Sequence, residues 1–195
     1  MTRQDSLGEV LGYTFNRAEL LEQALTHSSM AQSRSGRLDT NERLEFLGDR
    51  ALGLVVAEWL YKRFPSEDEG ALARRFAALV RREALAAVAQ TINLGDSLAL
   101  NAADENIAAR ENPGVLADAC EALIGALYLD GGLPAVRPFV EKYWEVLLES
   151  EIEPPQMRKR RYRNGPKETG CRCRCIGKSP GKGLLTNRFS PSRFG

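Results

Sequence analysis

Glu42, Glu45 and Asp49 stand at i, i+3 and i+7 in the run Asn41-Glu42-Arg43-Leu44-Glu45-Phe46-Leu47-Gly48-Asp49. On an α-helix that spacing lines three carboxylates along one stripe. Like charges at helical offsets weaken a helix unless something binds them, and the stripe itself holds no Lys or Arg. A second acidic pair, Asp118 and Glu121, sits at i, i+3 inside the otherwise apolar stretch from Leu116 to Leu129. Asp and Glu are seldom buried unless paired or bound to metal. One such cluster reads as a solvated helix edge; two, each set in a strongly apolar helix, read as a metal site. Oxygen-only donors suit Mg²⁺ or Mn²⁺ rather than zinc. Glu45, Asp49, Asp118 and Glu121 are the residues assigned to it. Such ions make a bound water nucleophilic and stabilise a leaving oxygen, which is what phosphodiester hydrolysis needs.

The elements that must position these acids are all helical by pattern, so the fold class expected is all-α. The apolar residues Leu52, Leu54, Val55, Val56, Trp59 and Leu60 read as a buried face following the first acids, on a long helix over 40–63 stopped by Pro65. Short helices are expected over 4–11 and 17–25, and a pair over 70–92, where alanine is abundant. A helix over 114–129 carries Asp118 and Glu121 and stops at Asp130-Gly131-Gly132. The last runs over 134–149, opened by Pro134. Residues 93–112 read as irregular.

Several chemistries are excluded by composition. His27 is the single histidine of the chain and reads as a structural residue at a helix end. Di-iron bundles and zinc hydrolases each need several His or Cys ligands. Gly131-Gly132 lacks the Lys-Ser/Thr that would make a phosphate loop. Cys120 lies on an apolar helix as a small core residue, and Cys171, Cys173 and Cys175 are too crowded for a disulfide framework or a usual zinc site. No apolar run reaches the roughly 18 residues of a membrane span, and no signal peptide opens the chain, so no membrane contact and a cytoplasmic location are expected.

The net charge of +1 hides a split: residues 157–195 hold 12 Lys/Arg and one Glu, leaving 15 basic and 25 acidic residues in 1–156. A body that acidic is a poor polyanion binder by itself. Nucleic-acid chemistry here requires bound cations, a basic appendage, or both.

The run from Glu42 to Arg50 resembles the signature of the ribonuclease III family. The likeness extends to Ala24-Leu25-Thr26-His27-Ser28-Ser29 upstream, to Glu69-Gly70-Ala71-Leu72, and to the helix with Asp118 and Glu121. It implies a ribonuclease III-type endonuclease domain over 3–150, working as a homodimer on double-stranded RNA with Mg²⁺, for which Mn²⁺ can substitute. Cleavage would leave 5′-phosphate and 3′-hydroxyl ends, as in processing of ribosomal, messenger and transfer RNA precursors. By the same resemblance Glu45, Asp118 and Glu121 are metal ligands, and Asp49 and Glu121 are the acids on which catalysis most depends. Glu42 approaches substrate near the dimer interface. Glu69 lies near the catalytic valley, and Ser66-Glu67-Asp68-Glu69 also fits a helix capping box. The apolar Phe46 and Leu47 suit either a dimer interface or the core. Two readings of other kinds are a non-catalytic RNA- or ribosome-binding protein of the same fold and an inactive truncated gene product. The first typically lacks one of the four acids, all of which are present here.

The chain departs from the bacterial pattern after Gln156, where relatives continue into a double-stranded-RNA-binding domain. Residues 151–195 read instead as a linker and a disordered basic tail. A permitted choice of codons for residues 157–175, regrouped one base earlier, spells DAKTALQEWAQGNGLPLPL, which looks like the opening of that missing domain. The tail is therefore expected to be out of frame. The functional counterpart is a basic arm that binds RNA non-specifically.

Overall fold

The computed structural model describes residues 7–8, 10–32, 40–101 and 107–150. The basic tail and the expectations placed on it lie outside the described residues, as does most of the helix expected over 4–11, of which Leu7, Gly8, Val10 and Leu11 are helical. Seven α-helices follow: α1 Ala18–Ala24, α2 Glu42–Arg63, α3 Glu69–Leu79, α4 Arg82–Thr91, α5 Leu94–Ser97, α6 Ile107–Arg110 and α7 Pro113–Ser150, with a 3₁₀ turn over Ser28–Gln32. The chain is all-α: among the described residues the only extended pairing is an isolated parallel bridge of Thr26 with Ala99.

The core forms where α2 crosses α7. Leu52, Val55, Val56 and Leu60 of α2 are at most 1% exposed and join Leu123, Ile124, Leu127, Val136, Phe139 and Val140 of α7 in one cluster. α4 adds Leu85, Val88 and Ala89 to the same cluster. Trp144 is fully buried, and its indole N–H donates to the Leu79 carbonyl at 2.9 Å, which satisfies the polar edge of the ring and pins the end of α3 to α7. Leu54, expected in the buried face, is instead 55% exposed. It stands between the 3.6-residue repeats that point Leu52, Val55 and Val56 inward.

Helix ends follow local chemistry with one correction. Asp68, not Ser66, caps α3: its carboxylate accepts from the Ala71 N–H at 2.8 Å, so Glu69 is the first helical residue and the expected capping box does not form. Glu67 is engaged elsewhere, taking the buried Arg75 guanidinium at 2.8 and 2.7 Å while that guanidinium stacks on Phe64. The expected stop at Asp130-Gly131-Gly132 is confined to one residue. The helix runs on through Gly131, and Gly132 alone turns to φ 67, ψ −164, which an L side chain rarely adopts. The described parts of 93–112, residues 93–101 and 107–112, are less irregular than expected, since α5 and α6 each form one turn there; Asn93, at φ 52, starts the first.

By length and composition alone α7 is long and apolar enough to cross a membrane. Half of that apolar window is buried inside the protein, where it supplies the core.

Candidate metal centre

The two acidic helices meet because glycine lets their backbones touch. A Cβ on Gly48 of α2 would fall 1.7 Å from the Glu121 carbonyl oxygen, and one on Gly125 of α7 would fall 2.2 Å from the Leu44 carbonyl oxygen. Buried Leu20, Ala24, Leu44, Ala122 and Ala126 pack around this contact. Small residues on both helices let α2 lie against α7 at a point flanked by Glu45 on one side and Asp118 and Glu121 on the other.

The result is a cluster in which carboxylate oxygens of Glu45, Asp118 and Glu121 lie within 4.8 Å of one another, all three half-buried. Burial pushes the Glu121 carboxyl up to about 7, reinforced by the charges of Glu45 and Asp118. Glu45 is raised by burial and then by Asp118 and Glu42; Asp118 is raised by burial. Three acids forced together against their own repulsion form a site of metal-binding type: hard oxygen donors, no ion pair to any of the three among the described residues, water partly excluded.

Asp49, one turn beyond Glu45, is not among the three. Its carboxylate forms an ion pair with Arg50, whose guanidinium also lies 5.1 Å from the Phe46 ring centre. Glu42, the first residue of α2, borders a groove with Gln23, Arg43, Leu44, Phe46, Leu47 and Leu129. Phe46 there is 68% exposed, so it belongs to the surface and not to the core. Glu69 is exposed at the start of α3 and outside the cluster.

Two residues near the cluster were not anticipated from sequence. Arg82, at the start of α4, acts electrostatically on Glu45, Asp118 and Glu121. His27 acts on Asp118 while its Nδ1 accepts from the Ser29 N–H at 3.2 Å, so the structural role does not remove it from the site. No periodicity links either to the acids; only the packing of α4 and of the segment after α1 brings them there.

Residues 17–146 match the model of the Ribonuclease-III-like family. The chain belongs to the ribonuclease III family. It is 46% identical over 144 residues to Ribonuclease 3 of Nitrobacter winogradskyi, a match covering 74% of this chain and 54% of that one. With Ribonuclease 3 of Bartonella bacilliformis it shares 45% identity over 141 residues, covering 72% and 59% respectively. The matched region thus spans little more than half of these curated relatives. Among solved structures, the nuclease domain of ribonuclease III from Campylobacter jejuni superposes with a TM-score of 0.67 at 39% identity, covering 80% of this chain and 99% of that one. Dicer from Pichia stipitis gives 0.52 at 28% identity, covering 70% and 58%. The described helices are therefore a ribonuclease III nuclease fold, and the acid cluster lies at its central helix crossing.

Proposed function

We propose that this ribonuclease III-family chain is an endoribonuclease that hydrolyses double-stranded RNA in a divalent-metal reaction, leaving 5′-phosphate and 3′-hydroxyl ends. The observation that carries the reading is the carboxylate cluster of Glu45, Asp118 and Glu121, closed to within 4.8 Å by the Gly48–Gly125 contact. These three side chains would hold Mg²⁺, or Mn²⁺ in its place. A divalent ion bound there supplies Lewis acidity to a phosphoryl oxygen and lowers the pKa of a bound water. The chain's own part is to exclude bulk water and to keep the acids close, so that charge is stored until a cation and a phosphate arrive. Asp49 lies one turn beyond Glu45 on α2, with its side chain half-exposed and held by Arg50. In this reading Asp49 and Glu121 are the catalytic acids.

The working unit is a homodimer formed through the start of α2, where exposed Phe46 and the groove beside Glu42 and Leu129 give an apolar surface that a second copy would cover. A solved Campylobacter jejuni relative is described by flexibility in a region involved in dimer formation of its nuclease domain. Glu69 stands as a residue of the valley between the two sites. The reaction belongs to cytoplasmic processing of ribosomal and other RNA precursors. The domain ends near residue 150, and the tail after Gln156 is an out-of-frame start of an RNA-binding domain; reading the DNA across codon 156 tests that.

Cleavage of a long labelled RNA duplex at low salt, with Mg²⁺ and then with EDTA, tests the activity. Cutting that requires metal and that Glu121→Ala abolishes supports it. A folded, dimeric chain that cuts nothing would favour the non-catalytic reading.

A further inference from the structure

One cation beside the acid cluster acts on all three acids without pairing with any of them. Arg82 opens α4, directly after Arg81 at its N-cap. Cations are unfavourable at a helix N-terminus, where the macrodipole is positive, so the stability of α4 does not account for two successive arginines there. Arg82 is exposed, and its Nη1 lies 3.6 Å from where a Cβ on Gly114 would stand. Gly114 precedes Asp118 by one turn of α7, which puts the guanidinium beside the ligand end of that helix. Its charge reaches Glu45, Asp118 and Glu121, yet it forms no ion pair with any of the three. The other arginines close by are committed: Arg50 to Asp49, and Arg110 to the carbonyls of Gly95 and Leu98 at 2.8 and 2.9 Å.

A guanidinium that borders an acid cluster without neutralising it keeps its donors available for a third party. Its planar fork of N–H groups matches two oxygens of one phosphate. Residues 1–156 hold 15 basic against 25 acidic residues, so a cation placed beside the acids has a large share in seating a polyanionic strand. We infer that Arg82 is a substrate-binding residue, donating to a non-bridging phosphate oxygen of the RNA strand that lies across Glu45, Asp118 and Glu121. The inference rests on the double-stranded-RNA reading above and adds a residue to it.

Steady-state cleavage of duplex RNA by wild type, Arg82→Ala and Arg82→Lys, each at several salt concentrations, tests it. A Mg²⁺ titration of thermal stability without RNA runs alongside. Loss of one charge-assisted phosphate contact should lower kcat/KM about 10- to 100-fold, chiefly through KM, and flatten the salt dependence by about one power of concentration. Lysine should restore part of that loss. In the RNA-free titration, removing a cation from beside the acids should leave the Mg²⁺ midpoint unchanged or lower it. An unchanged kcat/KM in Arg82→Ala overturns the assignment. So does a loss that tracks a higher Mg²⁺ midpoint, because Arg82 would then be serving the acids and not the RNA. A wild-type chain that cuts no duplex removes the functional reading, and the assignment with it.

Discussion

Replacing Glu121 by Gln should make the metal-free protein more stable and the metal-bound protein less so. Glu121 is raised from 4.5 to about 7, by burial first and by Glu45 and Asp118 next. Between those two values the native chain holds a proton that the unfolded chain has released. Stability therefore falls as pH rises across that window, and the full cost is present above about pH 7. At ~1.4 kcal/mol per pH unit the shift sets a ceiling of about 3 kcal/mol, and screening of a half-buried group reduces it to about 1–2 kcal/mol. Glutamine is close to the protonated acid in shape and carries no charge. In EDTA at pH 8 the variant should melt roughly 2–8 °C above wild type, the range set by ~2–4 °C per kcal/mol for a domain of this size. At pH 5 the difference should nearly vanish. Saturating Mg²⁺ should reverse the order, since a ligand at about 100 times its Kd stabilises the native state by about 2.7 kcal/mol and glutamine is the poorer ligand. Differential scanning fluorimetry of both proteins at pH 5 and 8, with EDTA or Mg²⁺, reads all four corners. A variant less stable than wild type in EDTA at pH 8, or equal Mg²⁺ gains in both proteins, would refute an electrostatically strained metal site.

Other outcomes follow from the same geometry. Gly48→Ala should force α2 off α7, because a Cβ cannot sit 1.7 Å from the Glu121 carbonyl; overpacking of about 1–3 kcal/mol should appear in denaturant unfolding, with duplex cleavage lost. Asp130→Ala should cost about 2 kcal/mol or more in urea titration, because its enclosed carboxylate accepts from the Tyr13 hydroxyl at 2.9 Å and from the Asn16 and Arg17 N–H groups at 2.8 and 3.1 Å. Burial raises that carboxyl, but these bonds outweigh it and hold it below its usual range, so their contribution is present above about pH 4 and fades as acid protonates the group. Phe46→Glu should shift sedimentation toward monomer while the circular dichroism stays helical, since the ring is already 68% exposed. Asp68→Ala should lower stability by about 1 kcal/mol through loss of the α3 cap, with the Mg²⁺ response unaltered.

Helix periodicity marked the acids as a group: charge in an apolar repeat marks the edge of a buried face, and Glu42, Glu45, Asp49, Asp118 and Glu121 are legible that way. The all-α class and the family signature are equally local properties of the chain. The exposure of Leu54 and the cap at Asp68 were missed because a pattern of residue types does not fix helix rotation or choose among adjacent polar residues. The confinement of the α7 break to Gly132 was missed because Asp130 and Gly131 are stop signals only where the chain does leave the helix.

Periodicity did not single out the acids that share a cluster: the family resemblance named Glu45, Asp118 and Glu121, and the tertiary structure brings those three together. A stripe over Glu42, Glu45 and Asp49 is continuous on the helix, but α7 crosses it at one point. The backbone contact at Gly48 and Gly125 selects Glu45 and leaves Asp49 to Arg50. Arg82 and His27 reach the site from other segments, for which the sequence carries no spacing rule. Local sequence determines what each helix can present, because its repeat is set by backbone geometry. The packing of one helix on another decides what is presented together, because that depends on where small residues let two backbones touch.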